Sequence, residues 1–438
     1  MGNSFQKKLY NCLLLPATYG VFSAAAAFHS KLRETFRGHR DVRKRWASAS
    51  ESINGDRPVW FHVSSVGEYE QAKPVITALA REFPQIPVAV SFTSPSGLKY
   101  ASDTETIGNG SNIKFMDYLP IDFVKNSRFC LDTINPRLLV FVKFDLWPNL
   151  IWEATAKRVP TVLIDATLSK SSYRCSRLGR SFYRAVYDDL DEILAISEQD
   201  AERFQQSIPE HQGITVMGDT RFDRVVERKR TTNANGVADI DTQGRFVIIA
   251  GSTWPKDEIH LLEALQRLSN QNENLLIILA PHEPTKERVD ALLGWARAYG
   301  LTAATLSNKD EIKSANGNAS VLVVDSVGVL AEIYKAADVA YVGGSFSKGV
   351  HSVIEPAIMG IPVVFGPVHN NSFEALKLLS HEAAVEVRNG EDILRAFNEL
   401  IHNDVRRINM GTQAKSFVES QLGATSRCMG TIRKYLES

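Results

Sequence analysis

The chain has 438 residues, 44% of them hydrophobic, which is more than one core usually organises, so two globular domains are expected. Its fifty basic residues balance fifty acidic ones, so the chain as a whole does not indicate nucleic-acid binding; local basic patches stay open, and no nucleic-acid partner is expected. Four dispersed cysteines without a C-x-x-C pair argue against a zinc site or a disulfide framework.

The first predicted element is an N-terminal segment, residues 1–45, that is apolar and then basic. No charged residue occurs from Leu9 to Phe28, a length close to a bilayer span. Seven basic residues follow: Lys31, Arg33, Arg37, Arg40, Arg43, Lys44 and Arg45. Such a cluster resists translocation and is attracted to anionic lipid. We therefore predict membrane association, with the rest of the chain on the cytoplasmic face of the inner membrane.

The form of this segment stays open at the level of sequence. Asn11, Pro16 and Gly20 weaken a full crossing, so a helix lying in the membrane interface is an alternative to a span. A cleavable signal peptide, with small residues at Ala24–Ala27, is another. A helix packed on the first domain is the third.

Short apolar runs alternate with amphipathic stretches from Pro58 onward, which is typical of β/α units around a parallel sheet. The strands predicted in a first domain are Pro58–Val63, Val88–Phe92, Leu138–Val142, Thr161–Ile164 and Glu192–Ile196. Those predicted in a second domain are Phe246–Ala250, Leu275–Ala280, Val321–Val324, Val339–Val342 and Pro362–Phe365. A polar stretch divides the chain into domains 46–228 and 245–438, joined by a linker at 229–244. Doubly wound domains bind ligands at the carboxyl ends of their strands, so a site between the two is expected.

In the first domain, the chain runs from a buried strand through Ser64, Ser65 and Gly67 into a helix that contains Glu68. Partial burial there would raise the pKa of the Glu68 carboxyl and suit it to act as a general base. The alternative is a first-turn carboxylate that complements the helix dipole, and spacing favours neither interpretation.

Asp145 also follows a predicted strand, Leu138–Val142, at its carboxyl end. Its carboxylate could orient a basic partner or the acceptor. The alternative is an aspartate that caps the next helix, with Pro148 as that helix's first residue.

The second domain contains the densest pattern, a strand that opens into a glycine-rich loop and then a helix. Such loops bind phosphate through backbone N–H groups and the helix dipole. The candidate residues here are Gly343, Gly344, Ser345, Lys348, Gly349, His351 and Glu355. His351 and Glu355 are four residues apart, and Glu355 is suited to accept hydrogen bonds from ribose hydroxyls. The alternative is a glycine-rich turn whose histidine and glutamate merely pair at the surface.

Several uncommon motifs occur in a fixed order. They are Ser65-Val-Gly-Glu, Ser94-Pro-Ser-Gly, Tyr118-Leu-Pro, Leu146-Trp-Pro-Asn, Gly218-Asp-Thr-Arg-Phe-Asp and Gly343-Gly-Ser. In these motifs the chain resembles the 3-deoxy-octulosonate (Kdo) transferases, from Trp60 to about Ala375. The resemblance implies an α/β, GT-B fold: two Rossmann-like doubly wound domains facing a cleft.

The resemblance also implies a site and a reaction. Glu68 would be the catalytic base, and Asp145 and Arg221 would assist the transition state. The implied contacts to CMP are Pro281, His282, Val327, Gly328, Val329, Ser352, Val353, Ile354 and Glu355. CMP-Kdo would be the donor and a lipid A precursor the acceptor, with inversion and without metal or cofactor. The family commonly has Glu at Asp145, Lys at Arg221, Arg at His282 and Asn at Ser352.

Two other functions share this fold. One is a different GT-B enzyme, of the lipid A disaccharide synthase or UDP-sugar epimerase type, which would prefer a uracil nucleotide. The other is a non-catalytic nucleotide-sugar-binding module, which would keep Glu355 and its loop without needing Glu68.

Overall fold

The computed structural model describes residues 3–53, 55–104, 112–231, 240, 242, 244–308 and 320–437. The chain divides into two compact units, Met1–Arg224 with Leu422–Ser438, and Val225–Gln421. Each unit contains a seven-stranded sheet whose strands all pair in parallel. The prediction of two Rossmann-like α/β domains is therefore confirmed.

The sheet of the first unit has the strand order β3-β2-β1-β4-β5-β6-β7. Its strands are β1 Val59–Val63, β2 Val88–Phe92, β3 Ile113–Tyr118, β4 Leu138–Val142, β5 Thr161–Ala166, β6 Glu192–Ala195 and β7 Ile214–Val216. The helices up to the unit boundary are α1 Asn3–Leu9, α2 Leu15–Ala25, α3 Ser30–Gly38, α4 Val42–Ile53, α5 Val66–Glu82, α6 Pro95–Thr104, α7 Val124–Ile134, α8 Pro148–Ala156, α9 Arg177–Tyr187, α10 Glu198–Ser207 and α11 Thr220–Thr231. The order reverses between β1 and β4, which makes that pair the topological switch point of the sheet.

The second unit's sheet has the order β10-β11-β9-β8-β12-β13-β14. Its strands are β8 Phe246–Thr253, β9 Leu275–Pro281, β10 Thr302–Thr305, β11 Ser320–Val323, β12 Val339–Val342, β13 Val363–Phe365 and β14 Ala384–Glu386. The helices that follow α11 are α12 Pro255–Gln271, α13 Lys286–Ala298, α14 Leu330–Ile333, α15 Ile354–Ile358, α16 Phe373–Ser380, α17 Gly390–His402, α18 Asp404–Ser420 and α19 Ala424–Leu436. Here the switch point lies between β8 and β12.

The central strands are buried along their whole length, as the apolar runs predicted. Every residue of β1, β2, β4 and β5 is buried, because helices cover both faces of the sheet. All ten predicted strands are present, with ends that differ by at most a few residues. The strands that the pattern missed are β3, β7, β10 and β14, which are the two edges of each sheet.

The last helix, α19, lies on the first unit, whereas the sequence assigned 245–438 to the second domain. Cys428, Met429 and Ile432 join the core cluster that contains Val63 of β1. The Asp223 carboxylate also accepts hydrogen bonds from the amides of Gly423 and Thr425 at the start of this helix. The unit boundary falls within α11, and the predicted linker lies for the most part outside the described residues.

The N-terminal helices pack on the first unit through one side. Tyr10 donates a hydrogen bond to the buried Asp122 carboxylate (3.0 Å), and Asn11 and Asn149 exchange side-chain hydrogen bonds (2.9 and 2.7 Å). Lys7 pairs with Asp189. Across the described ranges, no helix combines the length and apolarity needed to span a bilayer.

Candidate active site

Glu68 lies in the first turn of α5, immediately after β1, and is buried. Ser65 caps the helix by accepting a hydrogen bond from the Glu68 amide. The Glu68 carboxylate in turn accepts from the amide and the hydroxyl of Ser64, at 2.6 and 2.5 Å, both on Oε2. Within the described part of the chain no hydrogen bond reaches Oε1, so that oxygen is the one available to take a proton.

Asp145 follows β4 and does not cap α8. Instead its Oδ2 accepts hydrogen bonds from Thr93 Oγ1 (3.2 Å) and Trp147 Nε1 (3.3 Å). His62 Nε2 lies 3.4 Å from the same oxygen. Pro148 is the first residue of α8, as predicted, but the amides of Asn149 and Leu150 are bonded by Asp122. The carboxylate of Asp145 is therefore held by side chains near the switch point.

Two buried side chains, Trp60 and Ser91, hold His62 next to Asp145. Trp60 Nε1 donates to Ser91 Oγ (2.8 Å), which lies 2.8 Å from His62 Nδ1. This contact places one ring nitrogen of His62 against Ser91, so that the other, Nε2, faces Asp145.

The two carboxyls have pKa values that move apart. Burial raises the pKa of Glu68, and the hydrogen bonds from Ser64 oppose this rise. Burial also acts to raise the pKa of Asp145, but the contact with His62 and the hydrogen bonds from Trp147 and Thr93 outweigh it and lower that pKa. The negative charge of Asp145 further raises the pKa of Glu68. Opposite shifts on neighbouring carboxyls distinguish a proton acceptor, Glu68, from a group that stays ionised, Asp145.

Arg221 lies in the first turn of α11 with its guanidinium half exposed. Its Nε and Nη2 contact the buried Asp219 carboxylate at 2.9 and 2.6 Å. This fork-like pair fixes the direction of the guanidinium, and part of its charge is already balanced. Asp219 therefore holds the Arg221 guanidinium in a defined orientation.

The glycine-rich loop of the second unit follows β12 and is organised by Asp257 of α12. This fully buried carboxylate accepts hydrogen bonds from the amides of Gly344 (2.8 Å), Phe346 (3.2 Å) and Trp254 (2.9 Å), and from the Tyr341 hydroxyl (3.1 Å). The sequence pattern predicted amides free for phosphate. Those of Gly344 and Phe346 are occupied inside the protein instead.

Other amides of the loop are also bonded internally. Gly343 donates to Gly251, His351 to Gly343, and Gly349 to Gly344. Gly344 has φ +85°, and a Cβ there would lie 2.4 Å from the Gly349 carbonyl oxygen, so only glycine fits. The loop is a rigid platform whose backbone supports side chains at its rim.

Those rim side chains include a stack of three rings. Trp254 stacks on His282 (4.7 Å between centroids), and His282 stacks on His351 (4.4 Å). Trp254 Nε1 also donates to His351 Nε2 (2.8 Å), and Lys348 Nζ lies 4.8 Å from the Trp254 ring centroid. Burial and the neighbouring His282 lower the pKa of His351. Two candidate residues from distant parts of the sequence, His282 and His351, are thus brought together.

The remaining candidates lie at other strand ends of the same unit. Pro281 ends β9. Val327 and Gly328 lie in an exposed bend after β11, in which Gly328 has φ +87°, and Val329 is the half-buried residue before α14. Ser352 and Val353 precede α15, and Ile354 and Glu355 are its first residues. Burial raises the pKa of the Tyr334 phenol, and the negative charge of the nearby Glu355 raises it further.

Sequence reasoning missed four residues of these sites: His62, Asp219, Trp254 and Asp257. A histidine within the apolar run Val59–Val63 was a usable signal, since a polar side chain in a buried strand needs a partner. The sequence carried no such signal for Asp257, because aspartate is common in the first turn of helices.

The fold has relatives among solved structures. The UDP-GlcNAc 2-epimerase of Neisseria meningitidis, solved with UDP-GlcNAc, superimposes with a TM-score of 0.59 over 86% of this chain and 100% of that one. A UDP-N-acetylglucosamine 2-epimerase homologue from Listeria monocytogenes gives the same TM-score over 87% of this chain and 97% of its own. At 13% and 12% sequence identity, these likenesses show the fold alone.

Two doubly wound domains, each with polar residues gathered at its switch point, place the chain in the GT-B class of fold. The profile described as 3-deoxy-D-manno-octulosonic-acid transferase (kdotransferase) matches residues 38–224. The enzyme of that name from Bordetella pertussis is 30% identical over 386 residues, covering 86% of this chain and 87% of the relative. The one from Rickettsia felis is 27% identical, over 86% and 79%. This chain belongs to the 3-deoxy-D-manno-octulosonic acid transferase family.

Proposed function

We propose that the chain transfers Kdo from CMP-Kdo to a lipid A precursor, lipid IVA, in lipopolysaccharide core biosynthesis, at the cytoplasmic face of the inner membrane. The observation that carries this proposal is the pair Glu68 and Asp145 at the switch point of the first sheet, with pKa values shifted in opposite directions. Glu68 would remove the proton from the attacking acceptor hydroxyl. Asp145, held ionised by His62, would keep the pKa of that base high.

The leaving group and the charge it carries have their own residues in this proposal. Displacement at the anomeric carbon, through an oxocarbenium-like state with inversion, releases CMP with a developing negative charge. Lys348 would stabilise that charge, and Arg221, directed by Asp219, would assist. The ring stack that includes His282 would take the place of the family's usual arginine as the wall of the donor site.

The direct test is an incubation of the purified full-length protein with CMP-Kdo and lipid IVA, followed by mass measurement of the lipid product. The expected product is heavier by one or more Kdo units, and CMP is released in equal number. Release of CMP without a heavier lipid, or tighter binding of UDP than of CMP, would contradict the proposal.

Glu355 is proposed to bind the nucleotide, so Glu355→Ala is expected to weaken CMP binding by about 1–3 kcal/mol, the scale of a charge-assisted hydrogen bond. Calorimetry with CMP measures this loss. Glu355→Gln serves as the matched control, because it keeps the size of the side chain and removes only its charge. CMP affinity that is unchanged in both variants would remove Glu355 from the donor site.

Membrane attachment is proposed to use the outer side of the N-terminal helices. Large apolar side chains are exposed on these helices and on the turn after α2, among them Phe5 (69%), Val21 (68%) and Phe28 (86%). Part of the predicted basic cluster has structural roles instead: Arg45 pairs with Asp117, and Arg33 donates to the carbonyls of Ala26 and Ala27. An interfacial helix packed on one side and inserted on the other accounts for both sets of contacts.

Substituting serine at Val21, Phe22 and Phe28 together is expected to reduce binding to anionic liposomes about tenfold or more, because each apolar side chain contributes on the order of 1 kcal/mol when it enters lipid. Flotation measures the bound fraction. Substitution is preferable to truncation near Val42, which would also remove the Tyr10–Asp122 bond. The control replaces Val405 and Ile408, exposed apolar residues of α18, with serine. Equal flotation of both variants would place attachment elsewhere.

A further inference from the structure

Asp165 is a fully buried carboxyl near the end of β5 that the proposed reaction does not use. Its backbone is left-handed, with φ +49°, which is uncommon for a residue other than glycine. Its Oδ1 accepts a hydrogen bond from the Thr220 amide (2.9 Å), and its Oδ2 lies 2.7 Å from Thr220 Oγ1. The strained strand end is thus joined to the first residue of α11.

The hydrogens in this cluster can be counted. Thr220 Oγ1 lies 2.7 Å from Asp165 Oδ2 and also 2.8 Å from the backbone oxygen of Gln71 in α5. A threonine hydroxyl has one hydrogen, and a carbonyl oxygen and a carboxylate oxygen both only accept. If Asp165 were ionised, one of the two short contacts would be an unbonded pair of oxygens. A hydrogen on Asp165 Oδ2 satisfies both.

The surrounding charges favour the same state. Burial raises the pKa of Asp165, and the charge of Asp219 raises it further, while Thr220 and Arg221 oppose the rise. Asp219 already forms the two-pronged pair with Arg221. The Cys428 thiol of α19 also lies near Asp165, and burial raises its own pKa. If Asp165 is neutral, the single carboxylate of Asp219 faces the guanidinium of Arg221. If Asp165 were ionised, two carboxylates would face that one guanidinium.

We propose that Asp165 is a neutral carboxylic acid in the working protein, and that it is a positioning residue for Arg221. Its hydrogen completes a chain from Asp165 to Thr220 to the Gln71 carbonyl, which ties β5, α11 and α5 together one residue before Arg221. The protonation stands independently of the proposed function. Only its effect on turnover rests on that function.

The decisive variant is Asp165→Asn. The asparagine amide can donate to Thr220 Oγ1 and its oxygen can accept from the Thr220 amide, so every bond of the protonated acid is kept. Folding of the wild-type protein takes up a proton at Asp165, because its folded-state pKa is above the unfolded one. Wild-type stability therefore falls as pH rises towards the raised pKa, by up to about tenfold in the folding equilibrium per pH unit, and Asp165→Asn lacks this contribution. We expect the variant to unfold at an equal or higher temperature at neutral pH, with a margin that grows under mildly alkaline conditions.

Asp223→Asn is the matched control on the same helix. Both Asp223 oxygens accept from backbone amides, of Gly423 and Thr425, so an asparagine nitrogen would face a donor and the variant should be destabilised. Infrared difference spectra of wild type minus Asp165→Asn should show the C=O stretch of a protonated carboxyl at neutral pH. A missing band, or a destabilised or unfolded Asp165→Asn protein, would overturn the protonation.

Turnover tests the positioning role separately. As the proton leaves Asp165, the wild-type enzyme should lose turnover on the alkaline side, and Asp165→Asn should keep it. If the chain transfers Kdo but turnover falls at alkaline pH in the same way in wild type and in Asp165→Asn, the positioning role is wrong while the protonation of Asp165 stands. If no transfer occurs in either protein, the failure belongs to the proposed function, and the infrared and unfolding results still decide the protonation.

Discussion

Replacing Glu68 with glutamine is expected to lower turnover by a factor of about 100 or more while CMP affinity stays almost unchanged. Glutamine keeps an oxygen that can accept from the Ser64 amide and hydroxyl, so the first turn of α5 should retain its structure. What it loses is the ability to take a proton. Steady-state kinetics with CMP-Kdo and lipid IVA, beside calorimetry with CMP, separate the two effects.

The control for this variant is Glu82→Gln, at the exposed end of the same helix, where Glu82 pairs with Arg433. It should leave turnover at the wild-type level, because exposed ion pairs contribute little. The wild-type rate should also rise as pH increases through the raised pKa of Glu68, since only the ionised carboxylate accepts a proton. If Glu68→Gln keeps near-normal turnover and its rate still rises with pH in the same way, another group is the base.

Replacing Asp257 with alanine is expected to destabilise the protein by about 3 kcal/mol or more and to weaken CMP binding. The buried carboxylate holds the amides of Trp254, Gly344 and Phe346 and the Tyr341 hydroxyl. Its loss leaves several buried donors without acceptors, and each costs about 1–3 kcal/mol. Thermal unfolding measures the stability, and calorimetry measures the affinity for CMP.

Asp290→Ala, at an exposed position of α13, is the matched control and should change neither quantity. Asp257→Asn should fall between wild type and Asp257→Ala, because an amide offers one accepting oxygen where the carboxylate uses both. A stable Asp257→Ala protein with normal CMP affinity would show that the glycine-rich loop keeps its conformation without this carboxylate.

The central strands could be predicted from sequence because parallel strands covered on both faces must be continuous apolar runs. The four strands that the pattern missed have a different environment. In β3 every second residue is only partly buried, and β7 and β14 have three residues each. An edge strand has one neighbour and partial cover, so its sequence carries too weak a signal.

The assignment of α19 shows a second limit. Its amphipathic pattern predicts a helix with a buried side, but the same apolar side chains could cover either sheet. The choice depends on contacts between residues distant in sequence, such as Asp223 with Gly423 and Thr425. No local pattern encodes such pairs.

By itself, the sequence determined the class of fold, the central strands and the position of Glu68, Asp145 and the glycine-rich loop after strand ends, because burial periodicity and turn residues are local properties. Only the tertiary structure decided what these groups do to each other. His62 meets Asp145 across neighbouring strands, Asp257 occupies amides of the loop, and Thr220 contacts both Asp165 and the Gln71 backbone oxygen. Protonation states and hydrogen-bond occupancy depend on distances between atoms that the chain brings together only when it folds.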